Sequence, residues 1–455
     1  MTRLTALHWG VLAATAGILG FQLFVPPIVG LSDQGDFARM IGRFGYGPED
    51  KGSIWDAFVK RKYVPDPSFR YPTLEQPGSE YLFVASAVGL NKLVSRDGKL
   101  DIRLMGLVHV AAFLGAFGYL MWATPPLVWL AGLLILTDIG YAAYWNSFYA
   151  EPASCIFLIL LIAESVRICV RREASGAQVL RWSFWAALLV LAKSQNLPLV
   201  LALAPLALSF WRWRKVAAVA GSFVILLAGL TNLWTLPKSL KLATTYNVLF
   251  MSIVPESTNP KADLAALGLD PEYAKFSGSG AWTEGTALYD MARTGLIGER
   301  VTSASVARFY LARPGRMWRH AKVMLPVAFL LRPEWCGNFE RAAGFAPGSK
   351  SRSFSLWSGF HEHVLARVAK PILVVLLIAP VALIAAWIGL PGKRLQIQFG
   401  LLLTLGTLIA FAAPVYGEAW DNVKHMFLFN LLVDTGLVWV TYVLWSARGS
   451  LQSNK

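Results

Sequence analysis

The sequence contains little charge and few cysteines for a chain of its length. Only 15% of its 455 residues are charged, while 55% are hydrophobic and the mean hydropathy is +0.49. Soluble proteins of this size rarely have such a composition, whereas proteins that cross a membrane many times commonly do. The chain has three cysteines, so the sequence provides neither a disulfide framework nor a set of cysteine metal ligands.

The sequence also lacks a glycine-rich phosphate loop after a predicted strand, which argues against a soluble nucleotide-binding fold. Its net charge of +15 is typical of cytoplasmic loops that carry lysine and arginine beside anionic lipid. Nucleic acid is the weaker explanation of this charge, because no basic cluster accompanies a soluble fold. We therefore expect membrane lipids, and no nucleic acid, as partners of the chain.

The hydrophobic runs predict an all-α polytopic membrane protein with about ten transmembrane helices. The first run, from about Leu7 to Leu31, follows Arg3 and is too long for a cleaved signal peptide, so we expect an uncleaved span. The other predicted spans are Leu104–Ala123, Leu127–Tyr144, Ala153–Cys169, Trp182–Ala192, Leu197–Trp211, Val216–Trp234, Pro371–Leu390, Leu395–Val415 and Met426–Trp445. Ser79–Val94 is short and contains Asn91 and Lys92, which favours an interfacial helix on the outer leaflet.

Ten spans place both termini in the cytoplasm and assign the arginine-rich loops to the inside, in agreement with the positive-inside rule. We predict a membrane domain at 1–234, with a first extracytoplasmic loop at 32–102. An extracytoplasmic loop subdomain at 235–370 and C-terminal membrane helices at 371–455 follow. The sequence contains no Asn-x-Ser/Thr acceptor, which favours a bacterial source and hence the bacterial inner (plasma) membrane.

Polar side chains collect at the predicted outer ends of the spans. Asp33 and Asp36 follow the first span, and if this segment starts a helix they share one face with Arg39. The other polar groups at outer ends are Tyr149, Glu151, Lys193, Gln195, Lys424 and His425. A carboxylate can accept the proton of a sugar hydroxyl, so Asp33 or Asp36 is the candidate general base. The candidate partners of a departing lipid phosphate are Lys193, Lys424 and His425, together with Arg39 or Arg70.

Each of these residues also has a structural interpretation. Asp33 and Asp36 could be helix N-caps or solvated loop acids, and Glu151 could start a helix. Lys193 could extend its ammonium to the membrane interface. Asp138 lies inside a predicted span, where an acid is functional or is paired with another group. The functional hypothesis therefore depends on the co-location of these residues and not on any one of them.

The motifs resemble those of the GT-C superfamily of integral membrane glycosyltransferases, which use polyprenyl-phosphate sugars. Asp33 and Asp36 match the acid of the first external loop, and the Asp-Gln-Gly-Asp-Phe-Ala-Arg stretch resembles bacterial hexosyltransferases of surface-glycan assembly. Tyr149-Ala-Glu-Pro is similar to the acidic motif of the second loop, and Leu191-Ala-Lys-Ser-Gln is similar to a later Leu-Thr-Lys-Gly turn. Lys424-His-Met-Phe-Leu-Phe-Asn also resembles these hexosyltransferases.

The resemblance implies a GT-C-type fold in which two large extracytoplasmic loops carry juxtamembrane helices. It implies inverting transfer of a hexose from a polyprenyl-phosphate donor to a surface glycan or lipid-linked acceptor, at a site facing the periplasm or exterior. Asp36 or Asp33 would be the base and Glu151 would shape the acceptor side. The implied substrate-binding residues are Glu151, Tyr149, Arg39, Lys193, Gln195, Lys424, His425 and Arg70. The sequence leaves room for a divalent metal, but no His/Asp ligand cluster argues for one.

Two other functions stay open from the sequence. A flippase or transporter of a polyprenyl-linked glycan would also carry polar groups near the membrane, although the spans show no evident inverted repeat. An O-antigen ligase or polymerase would use a pyrophosphate-linked donor. In that enzyme Arg313 and Arg316 would matter more than Asp36.

Overall fold

The computed structural model describes residues 5–53, 56–69 and 78–453, and these residues form a helical protein with two small sheets. The helices of the first half are α1 Ala6–Phe24, α2 Phe37–Ile41, α3 Tyr81–Val94, α4 Ile102–Met121, α5 Pro126–Leu136, α6 Ile139–Ala142, α7 Glu151–Arg171, α8 Gly176–Ala192, α9 Val200–Leu208 and α10 Lys215–Thr235. Those of the second half are α11 Lys238–Asn247, α12 Pro260–Ala266, α13 Leu288–Arg293, α14 Ser303–Leu311, α15 Pro314–Ala328, α16 Leu356–Phe360, α17 Ala369–Gly389, α18 Arg394–Gly417, α19 Asn422–His425 and α20 Phe427–Ser453. The strands are β1 Val29–Leu31, β2 Tyr46–Pro48, β3 Lys62–Pro65, β4 Leu100–Asp101 and β5 Cys336–Phe339.

The predicted polytopic helical fold is confirmed. Among the described residues, eight helical segments are long and apolar enough to cross a membrane: Ala6–Phe24, Ile102–Met121, Glu151–Arg171, Ser194–Arg212, Lys215–Thr235, Ala369–Gly389, Pro391–Gly417 and Phe427–Leu444. A ninth span results if α5 and the segment Ile139–Asn146, bent by 65°, are counted together. The predicted span Trp182–Ala192 lies within α8, whose 17 residues fall below the roughly 20 needed for a full crossing. Ser79–Val94 corresponds to the 14-residue α3.

The predicted span Leu127–Tyr144 is broken at Asp138. The Asp138 carboxylate accepts hydrogen bonds from the backbone N–H of Gly140 at 2.8 Å, Trp357 at 2.8 Å and Ser358 at 2.9 Å. It therefore caps the start of α6 and satisfies two N–H groups at the start of α16. Of the two interpretations of this intramembrane acid, the structure supports the paired one.

The first span is shorter than predicted. The helix α1 ends at Phe24, because Pro26 and Pro27 have no backbone N–H with which to continue it. The last residues of the predicted span form β1, which pairs antiparallel with β5. The acidic segment therefore leaves the membrane helix through a strand and not directly from a helix end.

Strand β1 holds the acidic segment against two distant parts of the chain. Gly30 lies opposite Asn338 of β5, and a Cβ atom on Gly30 would lie 3.1 Å from the backbone oxygen of Asn146. Asn146 Nδ2 in turn donates hydrogen bonds to the carbonyls of Leu23 at 2.9 Å and Val29 at 3.0 Å. These contacts fix the path of the chain that leads to the two aspartates.

The loop between α10 and α17 has an apolar core of its own, which includes Tyr246, Phe250 and Phe309. Tyr416 at the end of α18 and Ala419 just beyond it pack against this core. Within this loop α14 and α15 follow each other with a break at Ala312 and Arg313. The loop is thereby attached to the chain segment that leads into α19.

Candidate active site

The acidic segment, the start of α7, the end of α8 and the short helix α19 meet at one end of the helix bundle. Lys193 Nζ lies 2.7 Å from Glu151 Oε1 and 3.1 Å from His425 Nδ1. Lys424 Nζ lies 3.4 Å from Asp36 Oδ2. The structure thus brings together residues that the sequence analysis placed at outer span ends, and Asp36 and Lys424 are 388 positions apart in the chain.

Lys424 lies at the centre of a group of carboxylates. Its Nζ atom is 3.0 Å from Asp421 Oδ2, 3.4 Å from Asp36 Oδ2 and 3.9 Å from Asp33 Oδ2. The Lys424 side chain is only 7% exposed, so this charge is compensated by protein groups and not by water.

Tyr149 connects this lysine to Asp33. Its hydroxyl donates a hydrogen bond to Asp33 Oδ2 at 2.6 Å, and its ring stacks on Trp335 with 5.7 Å between centroids. Lys424 Nζ lies 4.7 Å from the Tyr149 ring centroid and 5.3 Å from that of Trp335, within cation–π range. Tyr149 is buried, so in this structure it orients Asp33 and does not present an open ring face to solvent.

The two aspartates differ in their surroundings. Asp33 accepts hydrogen bonds from the Gly35 N–H at 2.7 Å and from Tyr149, and its side chain is 8% exposed. Asp36 pairs with Arg39 and Lys424, and its side chain is 30% exposed. The helix α2 begins only after Asp36, so the aspartates do not share a helix face as expected and converge instead on Lys424. Asp36 is the carboxylate that an incoming substrate reaches more easily.

Charges in the cluster push the pKa values of its carboxylates apart. Burial acts to raise the pKa of Asp36, but the positive charges of Lys424 and Arg39 outweigh it and hold the pKa below its usual range. Burial raises the pKa of Glu418 to about 7, with Lys424 opposing the shift. Burial also raises the pKa of Asp421 to about 6, again against Lys424. Carboxylates with such different proton affinities are characteristic of acid–base sites.

The second half of the cluster surrounds Lys193. Glu151 is buried and pairs with Lys193 through Oε1, while its Oε2 has no hydrogen-bond partner among the described residues. Gln195 Nε2 donates a hydrogen bond to the His425 carbonyl at 2.7 Å, and its Oε1 lies 2.8 Å from His425 Nδ1. Burial and the charge of Lys193 lower the pKa of His425. A neutral His425 either donates from Nδ1 to Gln195 or accepts there from Lys193, depending on its tautomer.

Sequence reasoning missed four residues that the structure places in or against this site. They are Glu80, Trp335, Glu418 and Asp421. Glu418 and Asp421 belong to the polar stretch that leads into Lys424 and His425. Nothing in the spacing of this stretch distinguishes the two acids from ordinary loop acids. Trp335 belongs to no motif in the sequence. Its position beside Tyr149 depends on the long-range pairing of β1 with β5. No sequence signal could have assigned it.

Glu80 contacts the first turn of α7. Its Oε1 lies 2.8 Å from His109 Nε2, and its Oε2 accepts a hydrogen bond from the Ala153 N–H at 3.2 Å. Both members of the Glu80–His109 pair are fully buried. The pair therefore ties α3 and α4 to the first turn of α7, which carries Glu151.

Three arginines named in the sequence analysis are not part of the described cluster. Arg70 lies outside the described residues. Arg316 pairs with Asp263 and donates a hydrogen bond to the Ile253 carbonyl at 2.9 Å. Arg313 lies over the Phe309 ring, 4.3 Å from its centroid. Arg313 and Arg316 are thus engaged within the loop between α10 and α17.

A divalent metal does not fit the carboxylates of this site as they are arranged. Asp33, Asp36 and Asp421 all face Lys424 Nζ, so an ammonium already lies where a metal would bind. Within the described ranges, no group of three or more His, Cys, Asp or Glu side chains is placed to hold a metal ion.

One protein-family model, described as the YfdI N-terminal transmembrane domain, matches residues 4–455. No curated protein sequence matches the chain. Two solved structures are similar over 98% of the chain. They are the archaeal oligosaccharyltransferase AglB from Archaeoglobus fulgidus in complex with an inhibitory peptide and a dolichol-phosphate, at 14% identity and a TM-score of 0.38, and the apo form of the oligosaccharyltransferase of that organism, at 12% and 0.39. The chain spans about half, 52%, of the length of each.

Proposed function

The chain belongs to the family described as the YfdI N-terminal transmembrane domain, and for this member we propose the activity of an inverting membrane glycosyltransferase. It transfers a hexose from a polyprenyl-phosphate donor to a surface glycan or lipid-linked acceptor, at the extracytoplasmic face of the bacterial inner membrane. The observation that carries the proposal is the grouping of Asp33 and Asp36 with Lys424, Arg39 and Lys193 at one end of the membrane helices.

In the proposed reaction Asp36 is the general base, because it is the more exposed of the two aspartates. The acceptor hydroxyl oxygen attacks the anomeric carbon of the donor sugar from the face opposite the phosphate. The bond between that carbon and the phosphate oxygen breaks, and polyprenyl phosphate departs with the electron pair. Asp36 accepts the hydroxyl proton. Asp33, fixed by Tyr149, lies 3.9 Å from Lys424 and helps to hold it in place.

The cations that make Asp36 a weak base in the free protein also explain how the donor activates it. Arg39 pairs with Asp36 and keeps its pKa low. The donor phosphate is anionic and competes with Asp36 for Arg39, so donor binding weakens this pair and raises the pKa of the carboxyl. The base thereby gains proton affinity when the donor is present. The same cation then stabilises the charge that grows on the departing phosphate.

Lys193 is the proposed second contact of the phosphate. Its side chain is 18% exposed, while its partner Glu151 is buried. His425 Nδ1 lies 3.1 Å from the ammonium, and Gln195 holds His425 through the His425 carbonyl. Glu151 therefore shapes the site through Lys193, and its contribution to acceptor binding stays a prediction.

The two alternatives receive no comparable support. A ligase or polymerase would need Arg313 and Arg316 available for a pyrophosphate, but Arg316 is engaged by Asp263 and the Ile253 carbonyl. A flippase would not require a carboxylate base beside cations at one end of the bundle. We therefore retain glycosyl transfer as the conclusion.

The test is a transfer assay in nanodiscs with polyprenyl-phosphate-linked hexoses and a bacterial surface-glycan acceptor. Asp36→Asn should lower kcat by about 100-fold or more, since general-base catalysis contributes about 10²–10⁴-fold. Asp290→Asn is the matched control, because Asp290 is an exposed acid of the loop between α10 and α17 (the large loop). Full activity of Asp36→Asn would remove the base assignment. Absence of both turnover and donor binding in the wild-type protein would overturn the proposed function.

A further inference from the structure

Three carboxylates lie around the ammonium of Lys424. An ammonium group has three N–H donors, and three carboxylates surround this one at 3.0, 3.4 and 3.9 Å. The three carboxylates come from two segments far apart in the chain, since Asp33 and Asp36 follow β1 and Asp421 precedes α19. Carboxylate oxygens are ligands that divalent cations favour, but with Lys424 between them these three are not spaced to hold a metal ion.

The protein adopts an unfavourable backbone to place this lysine. Asp421 has φ 53° and Ala419 has φ 62°, both in the left-handed region that residues other than glycine seldom adopt. Asp421 and Lys424 are three positions apart, so the turn at Asp421 directs both side chains to the same point. Ala419 packs against the core of the large loop, which stabilises the turn. Backbone strain of this kind is usually retained only where the site requires it.

We propose that Lys424 is the built-in cation of the site and takes the place of a divalent metal. This inference rests on the proposed function for its catalytic meaning: transfer requires no metal ion. Lys424 acts through its partners and is a positioning residue, which keeps the carboxyl groups of Asp33 and Asp36 close together. A metal ion in the same place would meet the charges of Lys424 and Arg39.

The test is binding of Mn²⁺ in the absence of donor and acceptor, followed by electron paramagnetic resonance on the purified protein in nanodiscs. The wild-type protein should bind no Mn²⁺ stoichiometrically. Lys424→Ala leaves three carboxylates around an empty position and should bind one Mn²⁺ per chain, at least tenfold more tightly than wild type. Lys424→Ala combined with Asp421→Asn should lose this binding again. A merely structural role for Lys424 would not create a cation site.

Two further variants keep the result interpretable. Lys424→Arg retains the charge and should bind no Mn²⁺, whereas Lys193→Ala removes a cation outside the carboxylate group and should bind none either. If Lys424→Ala does not fold, Lys424→Met, which keeps most of the side-chain volume, replaces it in the same measurement. Stoichiometric Mn²⁺ binding by the wild type, or equal Mn²⁺ affinity of the wild type and the folded Lys424 variant, overturns the inference.

The outcome is separable from that of the proposed function. Loss of wild-type transfer in EDTA, with recovery on adding Mn²⁺, would overturn the built-in cation while supporting glycosyl transfer. A wild type that transfers no sugar and binds no donor, together with Mn²⁺ binding only by Lys424→Ala, would support the built-in cation and overturn glycosyl transfer.

Discussion

Lys193 and Glu151 form an ion pair with 2.7 Å between Nζ and Oε1, although they are 42 positions apart in the chain. The lysine is partly exposed while the glutamate is buried. The unpartnered Oε2 of Glu151 makes this carboxylate dependent on the one ammonium. The pair joins the end of α8 to the start of α7.

Lys193→Ala should weaken donor binding more than acceptor binding. Loss of a charge-assisted contact with the phosphate should raise the donor KM by about tenfold. It should also lower the thermal stability, because Glu151 would be left buried without a partner. Steady-state kinetics with the donor and the acceptor varied in turn measures the first effect, and thermal unfolding in detergent measures the second.

The double variant Lys193→Met with Glu151→Gln distinguishes phosphate binding from a structural role. Removing both charges should restore most of the thermal stability, since no unpaired charge remains. The donor KM should stay high, because no ammonium faces the phosphate. Recovery of both stability and donor KM would assign Lys193 to structure alone.

Tyr149→Phe should reduce turnover without unfolding the protein. The change removes the 2.6 Å hydrogen bond to Asp33 and leaves the ring stack on Trp335 in place. Hydrogen bonds to charged groups contribute about 1.5–3 kcal/mol, so we expect kcat to fall by about tenfold with little change in KM. Tyr289→Phe, at a highly exposed tyrosine of the large loop, is the control. An unchanged kcat in Tyr149→Phe would show that Asp33 needs no orientation by this hydroxyl.

Glu418 should make the protein less stable as the pH rises from about 4.5 to about 7. Burial raises the pKa of Glu418 to about 7 in the folded protein, above its ordinary value of 4.5. The folded state therefore binds more protons than the unfolded state in this interval, and the free energy of unfolding falls as the pH increases. Asp36 does not produce this trend, because its pKa is lowered and its effect is confined to more acidic pH.

The measurement is the unfolding temperature of the wild type and of Glu418→Gln at pH 5 and at pH 8. Glu418→Gln cannot ionise at this position, so its unfolding temperature relative to that of the wild type should be higher at pH 8 than at pH 5. A constant difference would mean that Glu418 titrates at its ordinary pKa.

Hydropathy predicts most of the membrane helices of this fold. Successive spans then place every second loop on the same side of the membrane. This alternation predicts that the segments of Asp36, Lys193 and Lys424 lie on one side of the membrane. Two boundaries carry a local sequence signal that the predicted spans did not use. Pro26 and Pro27 mark the end of α1, and the capping box from Ser175 to Gln178 marks a start of α8 earlier than predicted.

The side-chain partners within the site could not be predicted in this way. Asp421 reaches Lys424 only through a left-handed residue, which local propensity disfavours. Trp335 reaches Tyr149 only because β5 pairs with β1, where Cys336 lies opposite Leu31. Such contacts depend on long-range packing, and the periodicity of hydrophobic residues along the sequence carries no information about them.

The final prediction concerns the side of the membrane on which α3 lies. Leu93 is 84% exposed at the end of this helix, and the three native cysteines are buried, so a cysteine at this position should be the reactive one. With α3 at the outer leaflet, Leu93→Cys in intact cells should react with a membrane-impermeant maleimide. Val170→Cys, 71% exposed at the opposite end of α7 from Glu151, should react only after permeabilisation. The reverse pattern would turn the whole site toward the cytoplasm, where a polyprenyl-phosphate donor would have to be presented from the inner leaflet.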